Sequence, residues 1–154
     1  MALRGVRYAL VGGVAVNLHG VPRMTYDIDL MVDPSLDGFI AADTALAGLG
    51  LSPRIPLRLS GLADASLRAK LESERNLVAL TYSDPSNPLR EVDVLIAPSL
   101  DPAGVVSRAV LLSAGDFDVR VATIEDIVAM KRRAGRPQDL ADVTHLERIL
   151  ARRA

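Results

Sequence analysis

The sequence has no cysteine and no tryptophan. Without cysteine there is no disulfide framework and no thiolate metal site, which fits a reducing cytosol. Aromatic residues make up only 3% of the chain, as two Phe and three Tyr. The core must therefore be aliphatic, and no aromatic platform for stacking bases is expected. No uninterrupted apolar run approaches the length of a membrane span. The start, MALRGVRYALVGGVAV, is basic and then apolar, as a secretory leader is. Gly12-Gly13 interrupts it, however, and no small-residue cleavage site follows, so no leader is expected. Strong charge of either sign is also missing. The formal net charge is −1, so no global basic field advertises nucleic acid. The expectation is a soluble, cytoplasmic protein.

What is present suits one domain over residues 1–154, with 49% hydrophobic residues to fill a core. Lysine occurs only at Lys70 and Lys131, and all other basic residues are arginine. From Ile124 onward basic residues modestly outnumber acidic ones, which on its own suggests a solvated helix face.

Arg7 to Val11 has the pattern of a short buried strand. Gly12-Gly13 ends it with the freedom that a tight strand-to-helix turn needs. A short helix is expected over Val14 to His19, closed by Gly20 and Pro22. Met24 to Val32 is expected as a strand. Ser35 is placed to cap a helix from Leu36 to Leu49, whose stripe includes Leu36, Phe39, Ile40 and Leu46. A proline-bearing loop follows, then a helix over Leu62 to Ser73 and a strand over Asn76 to Tyr82. A turn through Pro85 and Pro88 leads to a strand from Arg90 to Ala97. Asp101 to Val110 is expected as a helix and Asp116 to Ala122 as a strand. Thr123 and Asp126 resemble a capping box for a helix ending near Ala134. Gly135 and Pro137 then separate it from a last helix running to about Arg152. Strands and helices mix without strict alternation, so the class is α+β, or α/β with a mixed sheet, closed by a C-terminal helical hairpin.

The stretch YALVGGVAVNLHGVPRMTYDIDLMVD, Tyr8 to Asp33, organises the chain. Residues two apart in a strand share a face, so Asp27 and Asp29 project together while Ile28, Leu30 and Val32 take the other side. Asp is depleted in strands, and adjacent like charges repel unless neutralised. A divalent cation with hard oxygen ligands is the usual answer. Asp93 lies on the polar face of REVDVLIA, opposite Val92, Val94 and Ile96. If that strand pairs with TYDIDLMV, three carboxylates converge. Such a trio can hold two Mg²⁺ ions at about 4 Å, which clamp the attacking and leaving oxygens of a phosphoryl transfer. The glycine turn offers backbone N–H groups to a triphosphate. Each element alone has an ordinary explanation, as a turn or a solvated edge carboxylate. Their order along the chain is what singles them out. His19 lacks a nucleophile or ligand partner and is expected to pack against or cap the short helix.

GGVAVNLHGVPRMTYDIDLMVD resembles the core motif of the DNA polymerase β-like nucleotidyltransferase superfamily. The tail IEDIVAMKRRAGRPQDLADVTHL is similar to the C-terminal signature of its minimal, toxin-like AbiEii branch: a Lys, an Arg-x-x-Asp and a following Asp. The segment from about Phe39 to Tyr82 carries no part of the resemblance. The resemblance implies a nucleotidyltransferase that uses Mg²⁺, with Mn²⁺ as a substitute, to move a nucleoside monophosphate from an NTP to an RNA end or a protein hydroxyl. It also implies a toxin role with an antitoxin partner. Gly12 and Gly13 would contact phosphates. Asp27, Asp29 and Asp93 would ligate metal, with Asp93 helping to deprotonate the acceptor. Lys131 would reach the triphosphate, and Asp139 or Asp142 would hold Lys131 or a nearby arginine. Arg23 and Thr25 would support the phosphate loop; the plainer reading pairs Arg23 with Asp33 and leaves Thr25 as a strand residue. Larger relatives add a helical domain that grips the acceptor. This chain stops just after its last helix, so that surface is expected to be missing or to come from a partner. The competing readings are a catalytically silent nucleotide-binding module and a protein-interaction domain of the same fold.

Overall fold

The structure is a computed structural model that describes residues 5–154. The basic start of the leader-like segment, through Arg4, lies outside them. Among the described residues seven strands form one sheet in the order β3-β4-β5-β2-β1-β7-β6. The strands are β1 (Tyr8–Val11), β2 (Ile28–Val32), β3 (Ser52–Pro53), β4 (Ala79–Asp84), β5 (Asn87–Leu95), β6 (Val110–Ser113) and β7 (Asp118–Val121). The helices are α1 (Gly12–Leu18), α2 (Leu36–Gly48), α3 (Ala65–Arg75), α4 (Pro102–Arg108), α5 (Ile124–Ala134) and α6 (Pro137–Arg153). The class is a mixed α/β fold, as the sequence pattern predicts. No helix among the described residues is long and apolar enough to cross a membrane.

The middle strands are apolar because helices cover the sheet. Ala9, Leu10 and Val11 of β1 and Leu30, Met31 and Val32 of β2 are all buried. The core is aliphatic, with Phe39 and Tyr82 as its buried aromatics. Tyr82 keeps its hydroxyl satisfied by donating to Asp43 at 2.6 Å. Caps follow local chemistry. Ser35 accepts from Gly38 N at 3.0 Å, and Thr123 accepts from Asp126 N at 3.1 Å. Gly135 ends α5 with φ 67°, a left-handed cap that costs glycine little.

Several boundaries differ from expectation. Helix α1 starts on the glycines themselves. The acidic strand starts at Ile28, so Met24 to Asp27 form a loop and Asp27 lies just outside β2. The cause is tertiary. Thr25 packs against the bare Cα of Gly13, and Arg23 N donates to the Asn17 side chain at 2.8 Å, which holds the loop against α1. Tyr26 is therefore 82% exposed and belongs to no strand. Asn76 is the left-handed end of α3, and β4 begins three residues later. Leu36 and Ile40 are exposed on α2, where Phe39, Ala42 and Leu46 carry the buried face. Strand β6 was not expected; its Val-Leu-Leu run continues directly from α4.

Candidate active site

Strand register builds the site. Strand β2 runs antiparallel to β1 and parallel to β5, with Asp29 opposite both Val11 and Asp93. Strand β4 pairs antiparallel with β5, with Thr81 opposite Asp93. Residues directly opposite in a sheet share a face. Thr81, Asp93, Asp29 and Val11 thus form one row across four strands. The Thr81 hydroxyl donates to Asp93 Oδ1 at 2.5 Å, which fixes one carboxylate oxygen and leaves the other free.

Gly12 follows Val11 at the end of that row. Its φ is 67°, and a Cβ there would lie 2.1 Å from Asp29 Oδ2. Only glycine fits, because both the backbone and the space demand it. A Cβ on Gly13 would lie 2.7 Å from Thr25 Oγ1. The double glycine thus interlocks with Asp29 on one side and with the Thr25 loop on the other.

The Asp29 carboxyl is pushed up to about 6, first by burial and then by the charges of Asp93 and Asp27. Lys131 and Arg136 pull in the opposite direction but do not win. The site is therefore short of positive charge. Among the described residues no group of three carboxylate, histidine or cysteine ligands stands ready to hold a metal ion. Asp29 and Asp93 form a pair, and Asp27 adds charge from the exposed loop. The donor chemistry of that pair fits a divalent cation: hard oxygens, net negative charge, and a raised carboxyl that a cation would return to its ionised form.

A cleft of about 830 Å³ opens beside the row, and Gly12, Asp29, Lys131, Arg136 and Asp139 line it. Lys131 is buried on α5. Its Nζ lies 2.9 Å from Asp142 and 3.4 Å from Asp139, both buried on α6. Arg136 Nε bonds Asp139 at 2.7 Å and holds its carboxyl below the ordinary range, against the opposing effect of burial. Arg23 pairs with Asp142, not with Asp33, which instead takes Arg7 at 3.6 Å. Both aspartates anticipated as partners of Lys131 are engaged. Three cations share two carboxylates, which leaves positive charge at the cleft.

Sequence reading missed Thr81 and Arg136. Arg136 is the arginine of the Arg-x-x-Asp motif, and its spacing from Asp139 is the signal that points to it. Thr81 is visible only once the β4–β5 register is known. His19 packs as expected. It is buried, its Nε2 donates to the Ala122 carbonyl at 2.7 Å, and burial lowers its pKa.

An anionic pair beside a tight glycine turn, with Lys131 and Arg136 in the same cleft, suits phosphoryl-group chemistry, and the class of protein it points to is a nucleotidyl transferase. Over residues 3–153 the chain matches the family described as "Nucleotidyl transferase AbiEii toxin, Type IV TA system", and it belongs to that family. The branch indicated by the two sequence motifs is thus the one found. No curated protein matches the sequence.

Proposed function

We propose that residues 1–154 form one unit that transfers a nucleoside monophosphate from an NTP to a hydroxyl on an RNA end or a protein, acting in the cytoplasm. The observation that carries this is the pairing of Asp29 with Asp93 beside Gly12, in a cleft shared with Lys131 and Arg136.

Asp29 and Asp93, with Asp27 beside them, would hold Mg²⁺, as two ions, or Mn²⁺ in its place. When bound, the metal would supply charge neutralisation for the transfer. The Gly12-Gly13 turn lets phosphate oxygens approach the backbone closely. Lys131 and Arg136 attract the β- and γ-phosphates. Asp93, held by Thr81, takes the proton of the acceptor hydroxyl. The acceptor oxygen bonds to the α-phosphorus, the bond from that phosphorus to the bridging oxygen breaks, and pyrophosphate leaves. Arg23 and Thr25 act one step back, Arg23 by holding Asp142 and Thr25 by seating Gly13. As a toxin, the protein would be countered by an antitoxin.

The test is incubation with each α-labelled NTP, Mg²⁺ and cell extract, followed by separation of RNA and protein. Label in one fraction is expected, with Asp29→Asn and Asp93→Asn reduced to background. No transferred label, or equal labelling by an Asp27→Ala/Asp29→Ala protein, sinks the reading. NTP binding without transfer would favour the silent nucleotide-binding module.

A further inference from the structure

We propose that the end of the cleft away from the carboxylates is a base-recognition subsite, with the carboxamide of Asn76 reading the base edge of the NTP. This rests on the cleft being the NTP site.

Asn76 precedes β4 and Leu100 follows β5, so both lie beyond the Ala79–Leu95 pair and to one side of the Asp93 row. Val78, Leu95, Leu100 and Met130 give the cleft apolar walls there, with Glu72, Ser99 and Arg133 among them, while Gly12, Asp29, Lys131 and Arg136 also line it. A nucleoside triphosphate has parts to match, a polyanion joined through a sugar to a flat ring system. The volume of about 830 Å³ falls within the range of pockets that enclose small ligands. The apolar end is also braced. The Ser99 hydroxyl donates to Glu72 of α3, and Arg133 of α5 donates to the Ser99 carbonyl. Helix α3, the Pro98–Leu100 turn and α5 are thereby tied around it, so the walls are preformed.

Asn76 ends α3 in the left-handed conformation, with φ 51°. Glycine is the usual residue there because it has no Cβ, and Asn is the next most common, so the cap alone does not demand the carboxamide. Its exposed carboxamide borders the cleft. It presents a donor and an acceptor side by side, the pair an Asn offers to a base edge. Leu100 and Met130 provide an aliphatic surface for the ring face where aromatic residues are lacking.

Calorimetry with Mg²⁺, the four NTPs and inorganic tripolyphosphate tests this on the wild type, Asn76→Gly and Leu100→Trp. Asn76→Gly keeps the left-handed cap and removes only the side chain. The wild type should prefer one NTP over the others and bind it at least about tenfold more tightly than tripolyphosphate. Asn76→Gly should weaken that NTP about tenfold and erase the preference, with tripolyphosphate changed by less than about twofold. Leu100→Trp, which fills the apolar end, should also weaken NTP and spare tripolyphosphate. Equal binding of all four NTPs and tripolyphosphate by the wild type overturns the subsite and leaves the phosphate site standing. So does an Asn76→Gly protein whose NTP affinity and preference are unchanged. Equal loss of NTP and tripolyphosphate in both variants overturns it too, because that pattern marks a structural defect. A wild type that binds neither ligand overturns the NTP reading and the subsite together.

Discussion

Two clusters of charge meet at one cleft, and they are treated in opposite ways. Lys131 on α5, Arg136 just before α6 and Arg23 in the loop before β2 share Asp139 and Asp142 of α6. On β2 and β5, Asp29 and Asp93 stand side by side with one hydroxyl, that of Thr81, for company. In the first cluster every charge has a partner within the protein, with one cation in excess. The second is left unsatisfied, and Asp29 shows it by its raised carboxyl. A fold selected only for stability would pair or replace such carboxylates, since like charges that are partly buried cost folding free energy. The cost is tolerated at a place where a cation and a triphosphate complete the charge balance.

The largest effect should come from breaking the satisfied cluster. Asp142→Ala leaves Lys131 and Arg23 without their shared partner, in a region where Lys131 is 8% exposed. Removing one partner of a buried pair costs about 3–5 kcal/mol, so urea unfolding should show a loss of that order. A loss no greater than that of a surface pair would mean that the network is solvated. Next comes Gly12→Ala. The new methyl would meet Asp29 Oδ2 on a backbone at φ 67°, and overpacking of this kind costs about 1–3 kcal/mol. The urea midpoint should fall while the slope stays unchanged.

The smallest effect has the opposite sign. Asp29 carries a folded-state value of about 6, above its ordinary 3.8. The folded state therefore takes up the proton first, and stability falls as pH rises through that window. Above it the full penalty is present, and well below it the penalty is gone. Asp29→Asn should thus raise the melting temperature of the metal-free protein at pH 7.5 by a few degrees, with partial exposure moderating the gain. At pH 4 or below the gain should vanish. A variant less stable than wild type at pH 7.5 would show that Asp29 is already satisfied without a cation.

The two clusters also differ in how far the sequence revealed them. The alternation of Val92, Val94 and Ile96 against Asp93 placed that carboxylate on a polar face, and the structure keeps it there. The spacing of Gly135 and Pro137 between two helical runs placed the hairpin that brings Lys131 to Asp139 and Asp142. Pairings between distant segments were not legible. Nothing local says that Asp93 stands opposite Asp29 and not one residue away, or that Thr81 completes the row. The plainer reading of Arg23 pairs it with Asp33, but its partner, Asp142, is on α6, far along the chain. Asp27 is expected inside a strand from Met24 to Val32, but β2 begins only at Ile28. Tertiary packing of Thr25 on Gly13 overrides the local strand propensity.

The central claim, that the Asp29–Asp93 pair is left unsatisfied until a cation binds, is tested most directly by following the side-chain carboxyl carbon of Asp29 by NMR against pH. In metal-free buffer the midpoint should lie near 6, and added Mg²⁺ should move it down toward the ordinary aspartate range. A midpoint already near 4 without metal, and unmoved by Mg²⁺, would contradict the account.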